Sequence, residues 1–326
     1  MYGANKKILN LLILKILQEH TDAKHRLTQG EIIRLLQLQY GITCDRRSVR
    51  SNIQSLQDIG YEIATHGGCW LVERDFDDAE LRMLIDSVLF SRTLSTAQAK
   101  RLIGKLKSFG NHYFHAKVAH ISNLPELSHA DNKQVMIVLD VLNDAIEEKR
   151  KVRFTYNTYG TDFKLHPKRS VPYIVNPYQL VANNGWYYLI GNYDKYDNVS
   201  HYRVDRITAI EMLSDAAKPK SVVREFARGF SLPRHMAEHI YMFGGESVTV
   251  KMRANTSMMD ALVDWFGKDF RIIQEDADEL IVSVVCNEMA MKYWALQYGE
   301  YVEVLEPKSL RDEICDAVDW MRKKYK

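Results

Sequence analysis

The sequence predicts an α+β protein made of several domains. Helical periodicity runs through the first part of the chain, short alternating runs follow it, and strand and helix patterns alternate towards the end. A chain of 326 residues is long enough for more than one core, and 46% of its residues are hydrophobic, as is usual in folded domains. The formal net charge is only +2, so any basic surface must be local.

Two amphipathic helices are predicted first. Apolar residues recur at i, i+4 and i+8 spacing between Lys6 and Gln18. The next helix begins after Thr28, which completes a capping box with Glu31, and ends at Gly41.

A third helix is predicted with Thr43 as its N-cap and Gly60 at its end. Its apolar residues fall on one face, and a polar face lies opposite. Two adjacent arginines, Arg46 and Arg47, occupy the first turn, where cations oppose the helix dipole at a cost of some tenths of a kcal/mol each. This arrangement is unfavourable unless an anion meets the arginines. Arginine, serine and glutamine side chains bind phosphates and read base edges in DNA.

The stretch YEIATHGGCWLV after this helix predicts a strand, a turn at Gly67-Gly68 and a second strand. Three helices followed by a hairpin is the order of a winged helix-turn-helix, whose third helix enters the major groove while the wing contacts the flanking backbone. The alternative is a small helical domain with a solvated basic face. The candidate DNA-contacting residues are Thr28, Gln29, Arg46, Arg47, Ser48, Arg50, Ser51, Gln54 and His66.

A helical connector is expected next, over residues 75–131. Asp77 and Glu80 form a second predicted capping box, and leucines and isoleucines recur at helical spacing after it. A further helix is predicted between Lys133 and Lys149.

Beyond that helix the pattern changes to short alternating runs: KVRFTYN, VPYIVN, YQLVANN, WYYLIGNY and SHYRVDRI. Turn residues such as Gly160 and the Asn183-Asn184-Gly185 triplet separate most of them. About five strands within about seventy residues predict a small barrel or a strongly bent sheet. The prolines in this region, Pro167, Pro172 and Pro177, are expected at strand starts, bulges or edges.

This region resembles the WYL-domain proteins. The resemblance rests on Tyr187-Tyr188-Leu189, Ile190-Gly191 and the run YRVDRI from Tyr202, together with the preceding VPYIVNPYQLV. One departure is that Tyr187 stands at the tryptophan position of the family, with Trp186 one place earlier. The resemblance extends over nearly the whole chain. It implies an Sm-like β-barrel that senses a ligand, which in several members is nucleic acid or a nucleotide.

Positions matching the family make Tyr187, Tyr188, Arg203 and Arg206 the leading ligand-binding candidates. Aromatic faces stack on bases at about 1–3 kcal/mol each, and arginines pair with phosphates. A structural alternative exists for each group. Alternation places Tyr187 and Tyr188 on opposite faces, so at least one belongs to the core, and Asp205 can form a structural bridge with either arginine. Further candidates on the same short strands are Tyr156, His166, Lys168, Arg169 and Tyr178.

The last hundred or so residues predict the order strand, helix, strand, strand, helix, strand, which is ferredoxin-like. Gly267 ends the first of these helices, and Pro307 is expected at the N1 position of a long final helix. The stretch WALQYGEYVEVLEP resembles the WCX-type extension of WYL proteins, which implies a role in dimerisation. The predicted domains are thus 1–74, 75–131, 132–222 and 223–326.

Neither an enzyme nor a metal site is expected. No P-loop, dinucleotide fingerprint, H-E-x-x-H or G-x-S-x-G motif occurs. The four cysteines are far apart without a C-x-x-C pair, which indicates reduced, mostly structural thiols. The histidines show no metal-ligand spacing, and the pairs His20/His25 and His112/His115 are interpreted as solvated helix residues. We therefore expect no cofactor.

The leading functional hypothesis is a homodimeric, sequence-specific DNA-binding transcriptional regulator whose activity is modulated by a ligand in the WYL domain. Its partners would be double-stranded DNA and an effector that is a nucleotide or single-stranded nucleic acid. The alternative is a single-stranded nucleic-acid sensor or adaptor in DNA damage or phage defence. The apolar run ILNLLILKIL is interrupted by Lys15 and too short to span a bilayer, so a cytoplasmic protein without membrane contact is expected.

Overall fold

The structure of the protein, a computed structural model, describes residues 8–117 and 134–326. The chain divides into two compact units, Met1–Asp131 and Asn132–Lys326. The finer boundaries after residues 74 and 222 stay predictions. Lys6 and Lys133, where two predicted helices begin, lie outside the described residues. Within the described ranges, no helix combines the length and apolar character required to cross a membrane.

The described part of the first unit is mostly helical. Its helices are α1 (Leu9–His20), α2 (Gln29–Tyr40), α3 (Arg46–Asp58), α4 (Asp78–Phe90), α5 (Thr96–Lys107) and α6 (His112–Lys117), and its strands are β1 (Ile63–Ala64) and β2 (Trp70–Leu71). The two strands pair as an antiparallel hairpin, and Leu27 forms a further bridge to Cys69. Apolar residues of α1, α2, α3 and the hairpin form one core, in which Ile13 and Leu36 are fully buried. Helix order and hairpin are as the sequence predicts.

The capping residues of these helices are mostly those predicted. The Thr28 and Glu31 capping box is formed at α2, and Gly41 ends this helix with a φ of 67°. The capping box of Asp77 and Glu80 at α4 is also formed. The prediction for α3 is wrong: its N-cap is Asp45, whose carboxylate accepts a hydrogen bond from the Ser48 N–H at 2.7 Å. A carboxylate is favoured at a helix N-terminus because it meets the positive end of the dipole.

The second unit begins with α7 (Val135–Glu147), which packs on a curled six-stranded sheet. The strands are β3 (Arg150–Tyr159), β4 (Leu165–Pro167), β5 (Tyr173–Asn183), β6 (Trp186–Tyr193), β7 (Ser200–Arg203) and β8 (Ile207–Ala216). The order is β4-β3-β5-β6-β7, and β8 also pairs with β3. Because the long β3 bonds to three partners along its length, the sheet curls into half of a barrel. The core between α7 and the sheet contains Val138, Leu142, Val152, Phe154 and Leu189.

Two of the predicted strands form one element. VPYIVN and YQLVANN were expected as separate strands, but β5 runs through both, and its register against β6 shifts between Pro177 and Gln179. A bulge accommodates a proline within a strand because the bulged residue donates no ladder hydrogen bond. The predicted turn between β5 and β6 is present, with positive φ at Asn184 and Gly185. The strand β8, by contrast, extends well past the predicted run.

The remainder of the second unit contains a four-stranded antiparallel sheet of order β10-β11-β9-β12. Its elements are α8 (Arg224–Ala227), α9 (Leu232–Glu238), β9 (Ser247–Asn255), α10 (Met259–Phe266), β10 (Arg271–Glu275), β11 (Glu279–Asn287), α11 (Glu288–Gln297), β12 (Val302–Glu306) and α12 (Lys308–Lys324). From β9 to β12 the element order is the predicted one, and Gly267 ends α10. Trp294 and Phe266 are the largest fully buried side chains of this core. Pro307 is the N-cap of α12 rather than its first helical residue.

Candidate functional site

The helix α3 presents a basic surface. Its apolar side is buried in the core of the first unit, as predicted. Arg46, Arg47 and Arg50 are exposed, and none forms an ion pair or a hydrogen bond through its guanidinium within the described part of the chain. No acidic residue lies in the first turn of α3. Because the Asp45 carboxylate already meets the positive end of the helix dipole, the three exposed guanidiniums are what this surface offers to an anion such as a phosphate backbone.

The other polar candidates on α3 differ in how free they are. Ser48 is half-buried, and its N–H is bound by Asp45. The side chain of Ser51 is exposed, beside the arginines. The Gln54 amide donates to the Asp58 carboxylate at 2.9 Å, one turn further along. Gln54 must therefore leave Asp58 before it can contact a base edge.

Thr28, Gln29 and His66 lie outside α3. The Thr28 hydroxyl is used in the capping box, where it accepts from the Glu31 N–H at 3.2 Å and donates to the Glu31 carboxylate at 2.8 Å. Gln29 is half-buried at the start of α2. His66 is exposed in the loop between β1 and β2, and its carbonyl accepts from the Arg26 guanidinium at 3.4 Å. Of these three, His66 has the side chain that is most accessible to a partner.

A second group of candidates meets where β6 and β7 pair. Tyr188 lies opposite Arg203 in the antiparallel register. The Arg203 guanidinium carbon lies 3.5 Å from the centroid of the Trp186 ring. Two hydrogen bonds join Arg203 to Asp205, from Nε to Oδ1 at 3.1 Å and from Nη2 to Oδ2 at 2.9 Å. We name Tyr156, Trp186, Tyr188, Arg203, Asp205 and Arg206 the arginine–aromatic cluster.

Arg203 is held in place from two sides. The side chain of Asp205 is 1% exposed and that of Arg203 is 20% exposed, so this ion pair is largely removed from water. The stacked Trp186 ring adds a cation–π contact. The structural bridge that the sequence suggested for Asp205 is therefore present, with Arg203 as the partner. Because its charge is compensated, Arg203 orients the cluster more than it attracts a new anion.

Arg206 is in a different situation. It lies half-buried on a 3-10 turn between β7 and β8, where its carbonyl accepts a hydrogen bond from the Asn157 amide at 2.9 Å. Its buried Nε has no hydrogen-bond partner among the described residues. A buried N–H without an acceptor is costly, so an anion that supplies one is favoured here. Arg206 is thus the cluster arginine best suited to bind a ligand.

Two phenols border these arginines. The Tyr156 hydroxyl accepts a hydrogen bond from the Arg203 backbone N–H at 3.1 Å. Burial raises the pKa of Tyr156 and of Tyr188, and the positive charges of Arg203 and Arg206 oppose this effect in part. Both phenols therefore remain protonated near neutral pH. A protonated hydroxyl beside an arginine is a donor to a phosphate or carboxylate oxygen.

Tyr187 and Tyr188 point to opposite faces, as strand alternation predicts. Tyr188 is half-buried and packs against Val181 and Ile190. Tyr187 is 38% exposed. The expectation that at least one of these tyrosines belongs to a core is therefore confirmed for Tyr188.

Two sequence candidates are occupied by structural contacts. The Arg169 guanidinium carbon lies 3.3 Å from the centroid of the Tyr173 ring, and its Nη1 donates to the Tyr193 hydroxyl at 3.0 Å. Tyr178 is 5% exposed, and its hydroxyl donates to the Lys218 carbonyl at 3.0 Å. Burial raises the pKa of Tyr178 to about 12. The structure therefore places Tyr178 in the core instead of on a binding surface.

His166 and Lys168 are exposed near the edge strand β4. His166 Nε2 lies 2.9 Å from the Asp162 carboxylate, and this hydrogen bond is the main cause of a lowered pKa for Asp162. The Lys168 backbone N–H donates to the Tyr156 carbonyl at 2.9 Å, which holds this residue next to the arginine–aromatic cluster. Lys168 therefore extends the basic border of the cluster, while His166 belongs to a local turn.

Three histidines that the sequence left scattered lie together in the second unit. The ligand nitrogens of His201, His235 and His239 all lie within 4.8 Å of one another. We name these residues the histidine trio. The interpretation of the histidines as scattered is therefore wrong for these three. It compared positions along the chain, in which His201 is 34 residues from His235, and the fold brings them together. The i, i+4 spacing of His235 and His239 was the one available signal, since it places two side chains on the same helical face.

Trp186 and Asn157 are further residues that sequence reasoning missed as parts of a site. Trp186 supports Arg203, and the Asn157 amide bonds both the Arg206 carbonyl and the Thr208 hydroxyl, the latter at 2.8 Å. For Trp186 the signal existed in the aromatic run itself. For Asn157 no local pattern indicates the contact, because it joins β3 to the start of β8.

Comparison with known proteins matches two domain families to the second unit. The WYL domain model matches residues 137–212, and the WCX domain model matches residues 233–321. No curated protein matches the chain. The arginine–aromatic cluster lies within the WYL match, and the histidine trio has members in both matches.

Solved structures provide more distant similarities. Proteasome accessory factor B/C (PafBC) of Arthrobacter aurescens is similar over 97% of this chain and 48% of its own, with 16% identity and a TM-score of 0.30. This chain thus spans about half the length of that protein. A CRISPR Cas-related protein is similar over 100% of this chain and 88% of its own, with 14% identity and a TM-score of 0.40. On the two domain matches, which together cover about half of its length, the chain belongs to the WYL-domain proteins and carries a WCX domain after its WYL domain.

Proposed function

We propose that this WYL protein is a transcriptional regulator that binds double-stranded DNA through α3 and an anionic effector through its WYL domain. The observation that carries the proposal is the exposed group Arg46, Arg47 and Arg50, which has no partner within the described part of the chain. Uncompensated guanidiniums in the first turns of a helix are locally unfavourable, and a phosphate backbone relieves this cost.

The arrangement of the first unit supports DNA binding of the winged helix-turn-helix type. The helix α3 follows α2 after a short turn that starts at Gly41, and the hairpin of β1 and β2 comes next in the chain. In such domains the third helix enters the major groove and the hairpin contacts the flanking backbone. Arg47, Arg50 and Ser51 are then the residues that face the groove, and His66 is the wing residue.

The effector proposal rests on the arginine–aromatic cluster. Arg206 offers an N–H without an acceptor, and the protonated phenols of Tyr156 and Tyr188 lie beside it. The Trp186 ring, which stacks on Arg203, lies on the same face as Tyr188, whereas exposed Tyr187 points to the opposite face. Guanidinium and hydroxyl donors suit phosphate oxygens, and an aromatic ring suits a base. A nucleotide or a single-stranded nucleic acid combines both features.

Several further properties belong to the same proposal. We infer a homodimer, a cytoplasmic location and no catalytic activity. The C-terminal strand order β10-β11-β9-β12 with two crossing helices supports a ferredoxin-like extension. A dimer with two recognition helices predicts a pseudo-palindromic operator whose half-sites lie about one helical turn of DNA apart or a multiple of it.

The decisive experiment measures binding to duplex DNA that contains the promoter of the protein's own gene, at several salt concentrations. Wild type is compared with the double variant Arg47→Gln/Arg50→Gln. The matched control is Arg101→Gln/Lys105→Gln, which removes two exposed positive charges from α5. It therefore changes the net charge of the protein by the same amount as the α3 variant. Each lost phosphate contact lowers the slope of log K against log salt by about 0.9.

We expect the α3 double variant to lose specific binding and to reduce the salt slope by about 1.8 for each recognition helix, or about 3.6 for the proposed dimer, whereas the control keeps both. Unchanged duplex binding in the α3 variant would contradict the DNA-binding proposal. Binding restricted to single-stranded oligonucleotides would instead support the alternative, a single-stranded nucleic-acid sensor or adaptor. In that case Arg206→Gln, and not the α3 variant, weakens binding, by about tenfold.

A further inference from the structure

The histidine trio joins two parts of the second unit. His201 lies on β7, within the residues that match the WYL domain, and His235 and His239 lie on and directly after α9, within the WCX match. The ring centroids are 5.0 Å apart for His201 and His235, 4.2 Å for His235 and His239, and 5.1 Å for His201 and His239. Each histidine is therefore a direct neighbour of the other two.

Two members of the trio are buried, and His201 is half-buried. His235 is 6% exposed and His239 is 5% exposed. The two nearby carboxylates are engaged elsewhere: Glu225 accepts from the Val199 N–H at 3.0 Å, and Glu238 accepts from Arg234 Nε at 2.7 Å. The imidazoles thus have no carboxylate bonded to them among the described residues.

These surroundings keep the imidazoles neutral. Burial, followed by the proximity of His239 and His235, lowers the pKa of His201 to about 3. Burial likewise lowers the pKa of His235 to about 4, and it lowers the pKa of His239 against the opposing effect of the Phe243 backbone. A neutral imidazole has a nitrogen lone pair, which is the form that binds a metal ion.

One hydrogen bond of the trio fixes the tautomer of His239, and another joins His201 to His235. His239 Nδ1 lies 2.8 Å from the Phe243 carbonyl, so it donates there, and Nε2 keeps its lone pair. A ring N–H bonded to a backbone carbonyl is the usual support of a histidine ligand, since it fixes the tautomer and the ring orientation. His201 Nε2 and His235 Nε2 face each other at 2.7 Å. In neutral rings one of these nitrogens carries the hydrogen and donates to the other, and a metal ion uses both lone pairs when that hydrogen moves to the Nδ1 of its ring.

We propose that His201, His235 and His239 form a binding site for a divalent transition-metal ion of the Zn²⁺ type. Three imidazole ligands suit Zn²⁺, Cu²⁺, Ni²⁺ or Fe²⁺, whereas Mg²⁺ and Ca²⁺ prefer oxygen. Tetrahedral Zn–N bonds of about 2.0–2.1 Å place the ligand nitrogens about 3.3–3.4 Å apart. This spacing lies between the 2.7 Å contact and the 4.8 Å limit of the trio, so modest ring rotations complete the coordination.

A fourth coordination position is open. His235 and His239 line a cavity of about 340 Å³ whose other lining residues include Glu225, Ser231 and Glu238. This space admits a water molecule or a carboxylate oxygen as the remaining ligand.

The ion ties β7 to α9, and His201 lies two residues before Arg203 on the same face of the strand. Metal binding is thereby connected to the position of the arginine–aromatic cluster. The site itself does not depend on the proposed function in transcription.

The test uses the full-length chain after removal of bound metals by a chelator. Co²⁺ is the probe because, unlike Zn²⁺, it absorbs visible light when held in a tetrahedral site. We expect one equivalent to bind with this absorption and Zn²⁺ to displace it. His201→Gln and His235→Gln should each weaken Co²⁺ binding by at least about 100-fold. Loss of a residue that only supports a metal ligand already costs about 10–100-fold, and each of these variants removes a ligand itself. His166→Gln, the exposed histidine paired with Asp162, is the matched control and should bind as wild type does.

A substitution that replaces one ligand by another keeps the test valid even where a glutamine variant fails to fold. His235→Cys supplies a thiolate, which should add a sulfur-to-Co²⁺ charge-transfer band in the near ultraviolet, and His166→Cys should add none. Zn²⁺ should also raise the Tm of wild type and of His166→Gln but not that of His201→Gln. Any one of three results overturns the proposal. These are no stoichiometric Co²⁺ binding, an equal affinity for Co²⁺ in the trio variants and in wild type, or no sulfur-to-Co²⁺ band in His235→Cys.

Discussion

The ion pair of Arg203 and Asp205 allows a sharp prediction about what holds the arginine–aromatic cluster together. Replacement of Asp205 by Ala removes both acceptors of the Arg203 guanidinium, whose side chain is only 20% exposed. Loss of one partner from a fully buried pair costs about 3–5 kcal/mol, because a charge is left without compensation. Since Arg203 keeps some contact with water and with the Trp186 ring, we expect a cost near the lower limit, about 3 kcal/mol.

The assay is urea unfolding of Asp205→Ala, followed by circular dichroism and by tryptophan fluorescence, with the midpoint and the m-value compared with wild type. The matched control is Glu211→Ala, which removes the partner of Arg153 from a pair whose side chains are 50% and 48% exposed. An exposed pair of this kind contributes little to stability, because water screens the two charges. The control should therefore change the midpoint only slightly.

A double variant tests whether the cost arises from the uncompensated charge. Arg203→Met in the Asp205→Ala background removes the guanidinium and should recover most of the lost stability, because the buried charge is then absent. If Asp205→Ala unfolds at the same urea concentration as the Glu211→Ala control, Arg203 does not depend on Asp205. The description of Arg203 as an orienting residue would then be wrong.

Four other outcomes are expected. Arg206→Gln should weaken binding of a single-stranded oligonucleotide or nucleotide by about tenfold in a titration, with a smaller loss for Arg203→Gln because that arginine is already paired. Gly191→Ala should lower stability in urea by about 1–3 kcal/mol, because a Cβ would lie 2.9 Å from the Asn176 carbonyl oxygen, whereas Gly104→Ala in the open middle of α5 should not. Asp77→Ala should lower the free energy of unfolding by about 0.5–2 kcal/mol through loss of the cap of α4. For metal-free protein, the urea midpoint should fall as the pH drops from about 7 to about 5. In the unfolded chain His201 and His235 gain protons below the ordinary histidine pKa, whereas in the folded protein their lowered pKa values keep them neutral. A midpoint independent of pH would contradict these low pKa values.

Local patterns were sufficient to predict most of the helices. The capping boxes at Thr28 and Asp77 are formed as expected, since their partners lie three residues away in the sequence. The cap of α3 was placed two residues too early because Thr43 and Asp45 both suit this position. The choice between them depends on where the chain enters the core, which neither residue type specifies.

The curled sheet was less predictable because its shape depends on pairing between distant strands. The bulge at Pro177 is among the positions expected for this proline, but the runs VPYIVN and YQLVANN on its two sides belong to one strand, β5, which continues from Tyr173 to Asn183. The length of β8 likewise follows from its pairing with β3, in which Arg150 lies opposite Ala216. From a single sequence one can predict where a strand lies, but not which strand it pairs with or in which register.

The contrast between compensated and uncompensated arginines explains which site residues the sequence could identify. On α3 the arginines are exposed and unpartnered within the described residues, so their place on the polar face could be predicted from helical periodicity alone. In the WYL domain Arg169 and Arg203 are stacked on aromatic rings and bonded to oxygen acceptors, so the same residue type stabilises the fold there.

Arg206 separates the two roles within one cluster. It belongs to the same short run as Arg203, yet its Nε finds no acceptor where that of Arg203 finds Asp205. Sequence reasoning ranked the two arginines equally because both match the family pattern. Arg206 lies on the 3-10 turn Val204–Arg206, past the end of β7, whereas Arg203 is the last residue of that strand. A ligand that acts on this WYL domain therefore gains more from Arg206 than from Arg203, and the turn that positions Arg206 is the element through which such a ligand can act on β7.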